Sequence, residues 1–346
     1  MSMQTDRAGQ ETGTVTEVDA DPVEMTYRDA INAALRDEMT ADPNVLLMGE
    51  DVASDGGVYK TNTGLIEAFG PNRVINTPIC ENGFTGVALG MSLMGLRPVV
   101  EFMFSDFLPT AADAIVNELA KYRYMSGGRC SVPVTIRTVS GATGRFGTQH
   151  SATGESWFMG MPGLRIVTAS TPGSAYSLLR AAIRDDNPVL FHEHRALYGR
   201  KGLVARREIA TVGTAALLRP GTDVTIVATL LMADRAMKAA EELADEGIQA
   251  EVVDLRWIRP LDMETVCRSV LRTGRLLVAE EQVHAGSWGA TIISRLAIDG
   301  VTLRKPPAVV GLPDHLLIPY SPPLEDEIVP SAERIAAAAR LLCEDR

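Results

Sequence analysis

A single carboxylate stands where a strand passes into a helix. The stretch TPICENGFTG, residues 77–86, contains Glu81 after a short apolar run, and no further charge follows until Arg97. As a plain helix-start acid, Glu81 would be solvated and favoured by the helix dipole by about 0.3–1 kcal/mol. Apolar neighbours such as Cys80 and Phe84 instead favour a carboxyl group that holds or shares a proton. The residues alone leave both interpretations open.

Three further places carry polar or aromatic groups just after apolar runs, which is where open parallel sheets bind ligands. Glu50 ends VLLMGE, residues 104–107 follow RPVVEFM, and His150 lies in the stretch RFGTQHSATGESW. A histidine in such a loop suits general acid–base catalysis. It equally suits a loop residue hydrogen-bonded to backbone, and Glu50 by position alone is more typical of a surface acid.

Other sequence signals for cofactors are weak. GATGRFG follows a strand, but its glycines are spaced G-x-x-G-x-x-G rather than G-x-G-x-x-G as in dinucleotide-binding folds. The sequence contains no Walker A, H-E-x-x-H or metal-spaced His/Cys pattern. Glu280 and Glu281 in LLVAEEQ are predicted to be exposed or to face a partner chain. RDDNPVLF is predicted as a turn ahead of a strand.

The elements that must position these residues alternate between helix and strand from Met25 onward. TYRDAINAALRDEMTADP has apolar residues at helical spacing with Thr26 as N-cap, and runs such as NVLLMGEDV, VPVTIRTV and PVLFHEH are typical of buried strands. This alternation predicts an α/β fold of two domains, each a mostly parallel sheet flanked by helices. We expect a disordered acidic tail over 1–24, a first domain over 25–200, a linker over 201–220 and a second domain over 221–346.

Bulk composition excludes several functional classes. The 346 residues are 46% hydrophobic and carry a formal net charge of −11, so nucleic acid and anionic membrane surfaces are not expected partners. The four cysteines include no C-x-x-C pair and predict reduced, mostly buried thiols. We find no apolar stretch long enough to span a membrane and no secretory signal pattern, so a cytoplasmic location is expected.

Seven stretches in one order resemble the β subunit of the E1 component of 2-oxo acid dehydrogenase complexes. They are GEDV, GGVYKTNTGL, FGPNRVINTPICENGF, GLRPVVEFMFSDF, NELAKYRYMSGG, QHS and AAIRDDNPV, and the resemblance extends from Met25 to Arg346. The family includes pyruvate, branched-chain and acetoin enzymes that use thiamine diphosphate. The resemblance implies a thiamine diphosphate pyrimidine-binding domain followed by a transketolase C-terminal-like domain. It also implies an α2β2 assembly in which each cofactor lies between an α and a β subunit.

The resemblance implies a role for each candidate residue. Glu81 matches the glutamate that hydrogen-bonds N1′ of the cofactor's aminopyrimidine and shares a proton with it. Phe107 matches an aromatic residue that packs on that ring, and Glu50 matches an acid in the hydrogen-bond network near the cofactor. His150 matches the histidine that assists acyl transfer to the lipoyl domain of E2. Some family members bind a structural potassium ion, largely through backbone carbonyls, at positions matching Val134, Ala182, Ile183, Asp185 and Asn187.

One missing motif indicates what the chain lacks. Family members hold the diphosphate through Mg²⁺ bound by a G-D-G…N motif, and no Gly-Asp-Gly occurs here. The resemblance therefore implies that an α subunit supplies the Mg²⁺ site and that this chain is inactive alone. Pyruvate or a similar small 2-oxo acid is the expected substrate, with acetoin and branched-chain 2-oxo acids as alternatives. E2 is expected to dock on the second domain, and a mainly E2-docking, non-catalytic subunit is the alternative role.

Overall fold

The structure, a computed structural model, describes residues 21–344. The tail expected over 1–24 lies mostly outside the described residues and stays a prediction there. Its last two residues, Val23 and Glu24, belong to a strand, so the predicted boundary after residue 24 falls inside that strand.

The first part of the chain alternates strands and helices. Its strands are β1 (Val23–Thr26), β2 (Val45–Gly49), β3 (Val74–Asn76), β4 (Arg97–Phe102), β5 (Thr135–Ser140), β6 (Arg165–Thr168), β7 (Val189–His194) and β8 (Lys201–Val204). Its α-helices are α1 (Tyr27–Ala41), α2 (Leu65–Phe69), α3 (Glu81–Leu93), α4 (Ala120–Met125) and α5 (Pro172–Arg184). A π-helical turn (Ala114–Leu119) precedes α4, and 3-10 turns cover Ser105–Ala111, Thr148–His150 and Arg195–Leu197.

The second part repeats the alternation. Its strands are β9 (Ala216–Arg219), β10 (Val224–Ala228), β11 (Ala250–Asp254), β12 (Trp257–Arg259), β13 (Leu276–Val283) and β14 (Ala308–Leu312). Its helices are α6 (Leu230–Asp245), α7 (Met263–Thr273), α8 (Trp288–Ile298), α9 (Pro322–Ile328) and α10 (Ala332–Cys343).

Two large sheets, beside a two-stranded antiparallel pair of β1 and β8, organise the described chain and confirm the α/β prediction. The first has seven strands in the order β12-β6-β7-β5-β4-β2-β3, and only β12 runs antiparallel to its neighbour. The second has five strands in the order β14-β13-β10-β11-β9, with only β9 antiparallel. Strand β12 lies in the segment predicted for the second domain, yet it extends the first sheet. The two halves are therefore joined by backbone hydrogen bonds as well as by the continuous chain.

Helix α1 illustrates how local sequence sets an element. The Thr26 hydroxyl accepts a hydrogen bond from the backbone N–H of Asp29 at 3.1 Å, which confirms the predicted N-cap. Tyr27, Ile31 and Leu35 recur at i, i+4 and i+8 and are fully buried. This apolar face packs against α5, which lies on the same side of the first sheet.

The two halves share apolar core residues and also make buried polar contacts with each other. Glu281 on β13 accepts from the backbone N–H of Ala142 at 2.6 Å and pairs with the His194 ring at 3.0 Å. Gln282 donates its side-chain amide to Glu155 at 2.6 Å. Because Glu280 and Glu281 are 0% and 7% exposed, the prediction that they are exposed is wrong; Glu281 faces the other half of its own chain.

Two other sequence expectations concern cysteines and membranes. The four cysteines are free, but Cys80 is exposed and the other three are half-buried, so the expectation of mostly buried thiols is wrong. Within residues 21–344, every helix is too short or too polar to cross a bilayer.

Burial of Glu155 between the two halves predicts a pH-dependent stability. Burial raises the pKa of Glu155 from its ordinary 4.5 to about 7, so the folded chain binds a proton there that the unfolded chain loses near pH 4.5. Stability from this group is therefore present below pH 4.5 and lost as pH rises to about 7. As pH rises across that window, the free energy of unfolding of wild type should fall relative to that of Glu155→Gln by on the order of 1.4 kcal/mol per pH unit.

Denaturant unfolding at pH 5, 6 and 8 checks this prediction. Glu67→Gln, on the exposed face of α2, controls for the loss of one carboxyl group. A difference between Glu155→Gln and wild type that stays constant from pH 5 to 8 would contradict the assignment.

Candidate active site

The predicted residues gather at one edge of the first sheet. Strands β2, β3, β4 and β5 are parallel, so their carboxyl ends point the same way. Glu50 follows β2 directly, Glu81 opens α3 after β3, Phe107 lies in the turn after β4, and His150 lies in the loop after β5. The fold thus brings all four to the edge where such sheets bind ligands.

Glu50 and Glu81 form a pair of neighbouring carboxylates. Glu50 is only 7% exposed, and its Oε1 atom has no hydrogen-bond partner among the described residues. Burial raises the pKa of Glu50, and the nearby negative charges of Glu81 and Asp51 raise it further. A buried oxygen without a partner is costly, so this position suits a ligand that brings a polar group.

Glu81 is the first residue of α3 and is half-buried. Its N-cap residue Cys80 makes no side-chain capping hydrogen bond, which leaves the first turn of the helix open. Phe84 is buried edge-on to Phe102, with ring centroids 5.3 Å apart. Cys80 and Ile79 are exposed instead, so only part of the predicted apolar surrounding of Glu81 comes from this chain.

An aromatic group surrounds His150. The His150 ring stands edge-on to Phe104 at 4.7 Å and to Phe107 at 5.7 Å between centroids. Phe104 and Phe107 also meet edge-on at 5.7 Å. The structure therefore brings two predicted residues, Phe107 and His150, into direct contact through their rings, and both are half-buried.

The loop that carries His150 is tied to its surroundings at several points. Ala152 donates its backbone N–H to Asp106 at 3.2 Å, and Thr143 donates to Glu325 on α9 at 2.9 Å. The Thr148 hydroxyl donates to the carbonyl of Ile318 at 3.0 Å. Both halves of the chain thus hold the loop, and the second half reaches to within two residues of His150.

Two further site residues, Arg195 and Tyr59, were not predicted from the sequence, and Asp106 was included only as part of the segment 104–107. Arg195 follows β7, Asp106 lies in the turn after β4, and Tyr59 stacks edge-on to Phe104 at 5.9 Å. Burial raises the pKa of Tyr59 to about 12 and also raises that of Asp106. One available signal was the polar run HEHR at the end of an apolar strand, since β7 ends at the same edge as β5.

The five residues matched to a potassium site lie at the opposite edge of the sheet. They surround the last turn of α5 and the starts of β5 and β7, and they are Val134, Ala182, Ile183, Asp185 and Asn187. Arg97 donates to the carbonyls of Ile183 and Asp185 at 3.0 and 3.2 Å. Within the described residues, no group of three or more His, Cys, Asp or Glu side chains could hold a metal ion.

Comparison with family models gives two matches along the chain. The model "Transketolase, pyrimidine binding domain" matches residues 23–201, and "Transketolase, C-terminal domain" matches residues 213–335. Among solved structures, one described as "Split gene transketolase, inactive beta4 tetramer" superposes with a TM-score of 0.76 at 24% identity. The alignment covers 92% of this chain and 98% of that chain, and it shows the shared fold.

Curated relatives extend the similarity to whole subunits. "Pyruvate dehydrogenase E1 component subunit beta-1, mitochondrial" of Oryza sativa subsp. japonica is 42% identical, covering 92% of this chain and 87% of the relative. "Pyruvate dehydrogenase E1 component subunit beta" of Rickettsia conorii is 40% identical, covering 93% and 99%. "Acetoin:2,6-dichlorophenolindophenol oxidoreductase subunit beta" of Cupriavidus necator is 43% identical, covering 90% and 95%.

Proposed function

The chain belongs to the transketolase-type family of E1 β subunits, and on that premise we propose that it is the β half of a thiamine diphosphate-dependent 2-oxo acid dehydrogenase. Oxidative decarboxylation of pyruvate or a similar 2-oxo acid, followed by acyl transfer to the lipoyl group of E2, is the proposed reaction. The observation that carries the proposal is the neighbouring pair Glu50 and Glu81 at the edge of the sheet, beside Phe107 and His150.

The residues at this edge fit the aminopyrimidine of the cofactor. Glu50 offers a buried oxygen without a partner, Glu81 offers a carboxyl group at an open helix start, and Phe107 offers a ring face or edge for packing. When bound, thiamine diphosphate supplies the nucleophilic carbon and the electron sink for decarboxylation. Glu81 would share its proton with ring nitrogen N1′, and Glu50 would extend that hydrogen-bond network.

An α subunit is the partner that the family implies, because the relatives are named as β subunits of an E1 component. We propose an α2β2 assembly in which α holds Mg²⁺ and the diphosphate, since this sequence has no Gly-Asp-Gly. E2 is proposed to dock on the second domain, outside the cofactor edge. We propose the cytoplasm as the compartment, whereas the rice relative is named mitochondrial. Cell fractionation, followed by detection of the chain in each fraction, tests the proposed compartment.

The potassium proposal rests on backbone oxygens rather than on side chains. Ala182 and Ile183 belong to the last turn of α5, where the free backbone carbonyls form the negative end of the helix dipole. Carbonyl oxygens suit a hard monovalent cation, but Arg97 already donates to two of the five. We propose a purely structural ion there; equal melting temperatures in KCl and NaCl would refute it.

Reconstitution tests the activity and the substrate. The chain is co-expressed with a candidate α subunit, thiamine diphosphate and Mg²⁺, and turnover of pyruvate, 3-methyl-2-oxobutanoate and acetoin is compared. We expect decarboxylation of pyruvate and no activity from the β chain alone. Acetoin cleavage in preference to pyruvate decarboxylation would move the assignment toward the activity named for the Cupriavidus relative.

Glu81→Gln tests the proposed proton sharing. The amide cannot protonate N1′, so exchange of the cofactor C2 proton in the assembly should slow by about 10²-fold or more. Proton exchange is followed by NMR after acid quench, with circular dichroism to confirm folding. Glu264→Gln, at the start of α7 and outside the site, is the matched control; an exchange rate at the wild-type value in Glu81→Gln would sink the assignment.

His150→Ala tests whether acyl transfer is separate from decarboxylation. His150 lies against Phe107 in the loop after β5, whereas Glu81 opens helix α3, so loss of His150 should spare the cofactor's activation. We expect transfer to a lipoyl domain to fall by about 10²-fold, with a smaller loss in decarboxylation measured with an artificial oxidant. Equal losses in both assays would refute this division of roles.

A further inference from the structure

Arg195 is a half-buried arginine that contacts the aromatic group around His150. It is the first residue after β7, and its guanidinium lies over the ring of Phe146 at 4.5 Å and over the ring of Phe104 at 5.3 Å. One of its terminal N–H groups donates to the backbone carbonyl of His150. Phe104 is also the ring on which His150 stands edge-on at 4.7 Å. Arg195 therefore contacts the backbone of His150 directly, and both side chains contact the ring of Phe104.

This arginine is held in an unusual way for a cation. Its Nε and Nη1 atoms are buried without a hydrogen-bond partner, and no carboxylate lies within ion-pair distance among the described residues. Burial lowers its pKa, while Asp106 and Glu281 act on it only from further away. A buried cation without a close counter-charge is destabilising, so the position is poorly explained by stability alone.

The loop that Arg195 contacts has an unusual backbone conformation near His150. Thr143 and Arg145 adopt left-handed backbone conformations with φ of 67° and 60°, which is uncommon for residues other than glycine. Phe146 and His150 flank the tight turn at Gly147, where φ is 70°. Arg195 contacts both flanking residues, so a single rigid, planar group spans the turn.

We propose that Arg195 is a positioning residue for His150: its guanidinium clamps the turn between Phe146 and His150 and so fixes the imidazole against Phe104 and Phe107. The inference rests on the proposed function only for the role of His150 in acyl transfer. The clamp itself is a property of the loop. No bond is made or broken at Arg195, and Glu81 with its carboxylate neighbour acts without it.

The test compares Arg195→Met and Arg195→Lys with wild type in the assembled α2β2 holoenzyme. Methionine keeps the bulk but loses the donor and the charge; lysine keeps the charge but has no planar fork to stack on Phe146. We expect acyl transfer to the lipoyl domain to fall on the order of 10- to 100-fold in Arg195→Met, with partial recovery in Arg195→Lys. Decarboxylation with 2,6-dichlorophenolindophenol as oxidant should change by less than about threefold.

A second readout does not depend on the reaction. Hydrogen exchange of the peptide covering residues 141–155, measured in the assembly without substrate, should be faster in Arg195→Met than in wild type. Arg73→Met is the matched control, because Arg73 also stacks on a ring, that of Phe69 at 5.2 Å, and donates to backbone carbonyls away from the site. That variant should leave exchange of residues 141–155 and the ratio of the two activities unchanged.

Each outcome decides a stated point. If hydrogen exchange of residues 141–155 is unchanged in Arg195→Met, the proposal is wrong whatever the activities are. It is also wrong if exchange is faster but acyl transfer keeps the wild-type rate. If the wild-type assembly neither decarboxylates nor transfers, the proposed function fails, while the exchange measurement still decides the clamp. If Arg195→Met does not assemble, Arg195→Lys carries the same comparison, and full wild-type behaviour in it overturns the need for a planar group.

Discussion

The parallel register of the first sheet is the constraint on which the site depends. Gly49 lies opposite Glu101, and Glu101 lies opposite Arg137, so β2 and β4 end at nearly the same level while β5 continues to Ser140 at the same edge. Arg137 on β5 links the neighbouring strands, because its guanidinium lies 2.8 Å from Glu101 on β4 and 2.7 Å from Glu193 on β7. Arg137 is 2% exposed, and removing one partner of such a buried pair typically costs about 3–5 kcal/mol. The ionic group is thus better suited to fixing strand order than to adding net stability.

This register determines which strand supplies each candidate residue at the edge of the sheet. Strands β2 and β3 deliver the carboxylates Glu50 and Glu81, while the segments after β4 and β5 deliver Phe107 and His150. The second half of the chain contacts the loop after β5. Glu281, Ile318 and Glu325 accept hydrogen bonds from Ala142, Thr148 and Thr143. One half therefore presents the chemical groups, and the other half restrains the loop that carries the histidine.

Much of this arrangement was predictable from the sequence because it depends on local pattern. Apolar runs separated by amphipathic helices predicted two mostly parallel sheets, and Thr26 was predicted as an N-cap, both of which the structure confirms. Polar residues directly after strands also predicted which residues reach the ligand-binding edge. The roles given to Glu81, Glu50, Phe107 and His150 stay predictions, because the fold places these residues without a cofactor.

What sequence reasoning missed depends on contacts between distant segments. Glu281 was predicted to be exposed or to face a partner chain because nothing nearby in the sequence suggests a cavity, but its partners Ala142 and His194 lie 139 and 87 residues away. The pairing of β12 with β6 and the stacking of Arg195 between two phenylalanines are likewise set by tertiary packing. No local period or spacing encodes such contacts, which is why they emerge only from the structure.

The central claim is that Glu81 meets the aminopyrimidine ring of thiamine diphosphate at an interface completed by an α subunit. The most direct measurement is an experimental structure of the reconstituted α2β2 assembly with the cofactor bound. We expect a Glu81 carboxyl oxygen at hydrogen-bond distance, about 2.6–3.2 Å, from N1′, with Phe107 against the ring. A cofactor whose N1′ is contacted by a different acid, with Glu81 turned to solvent, would contradict it.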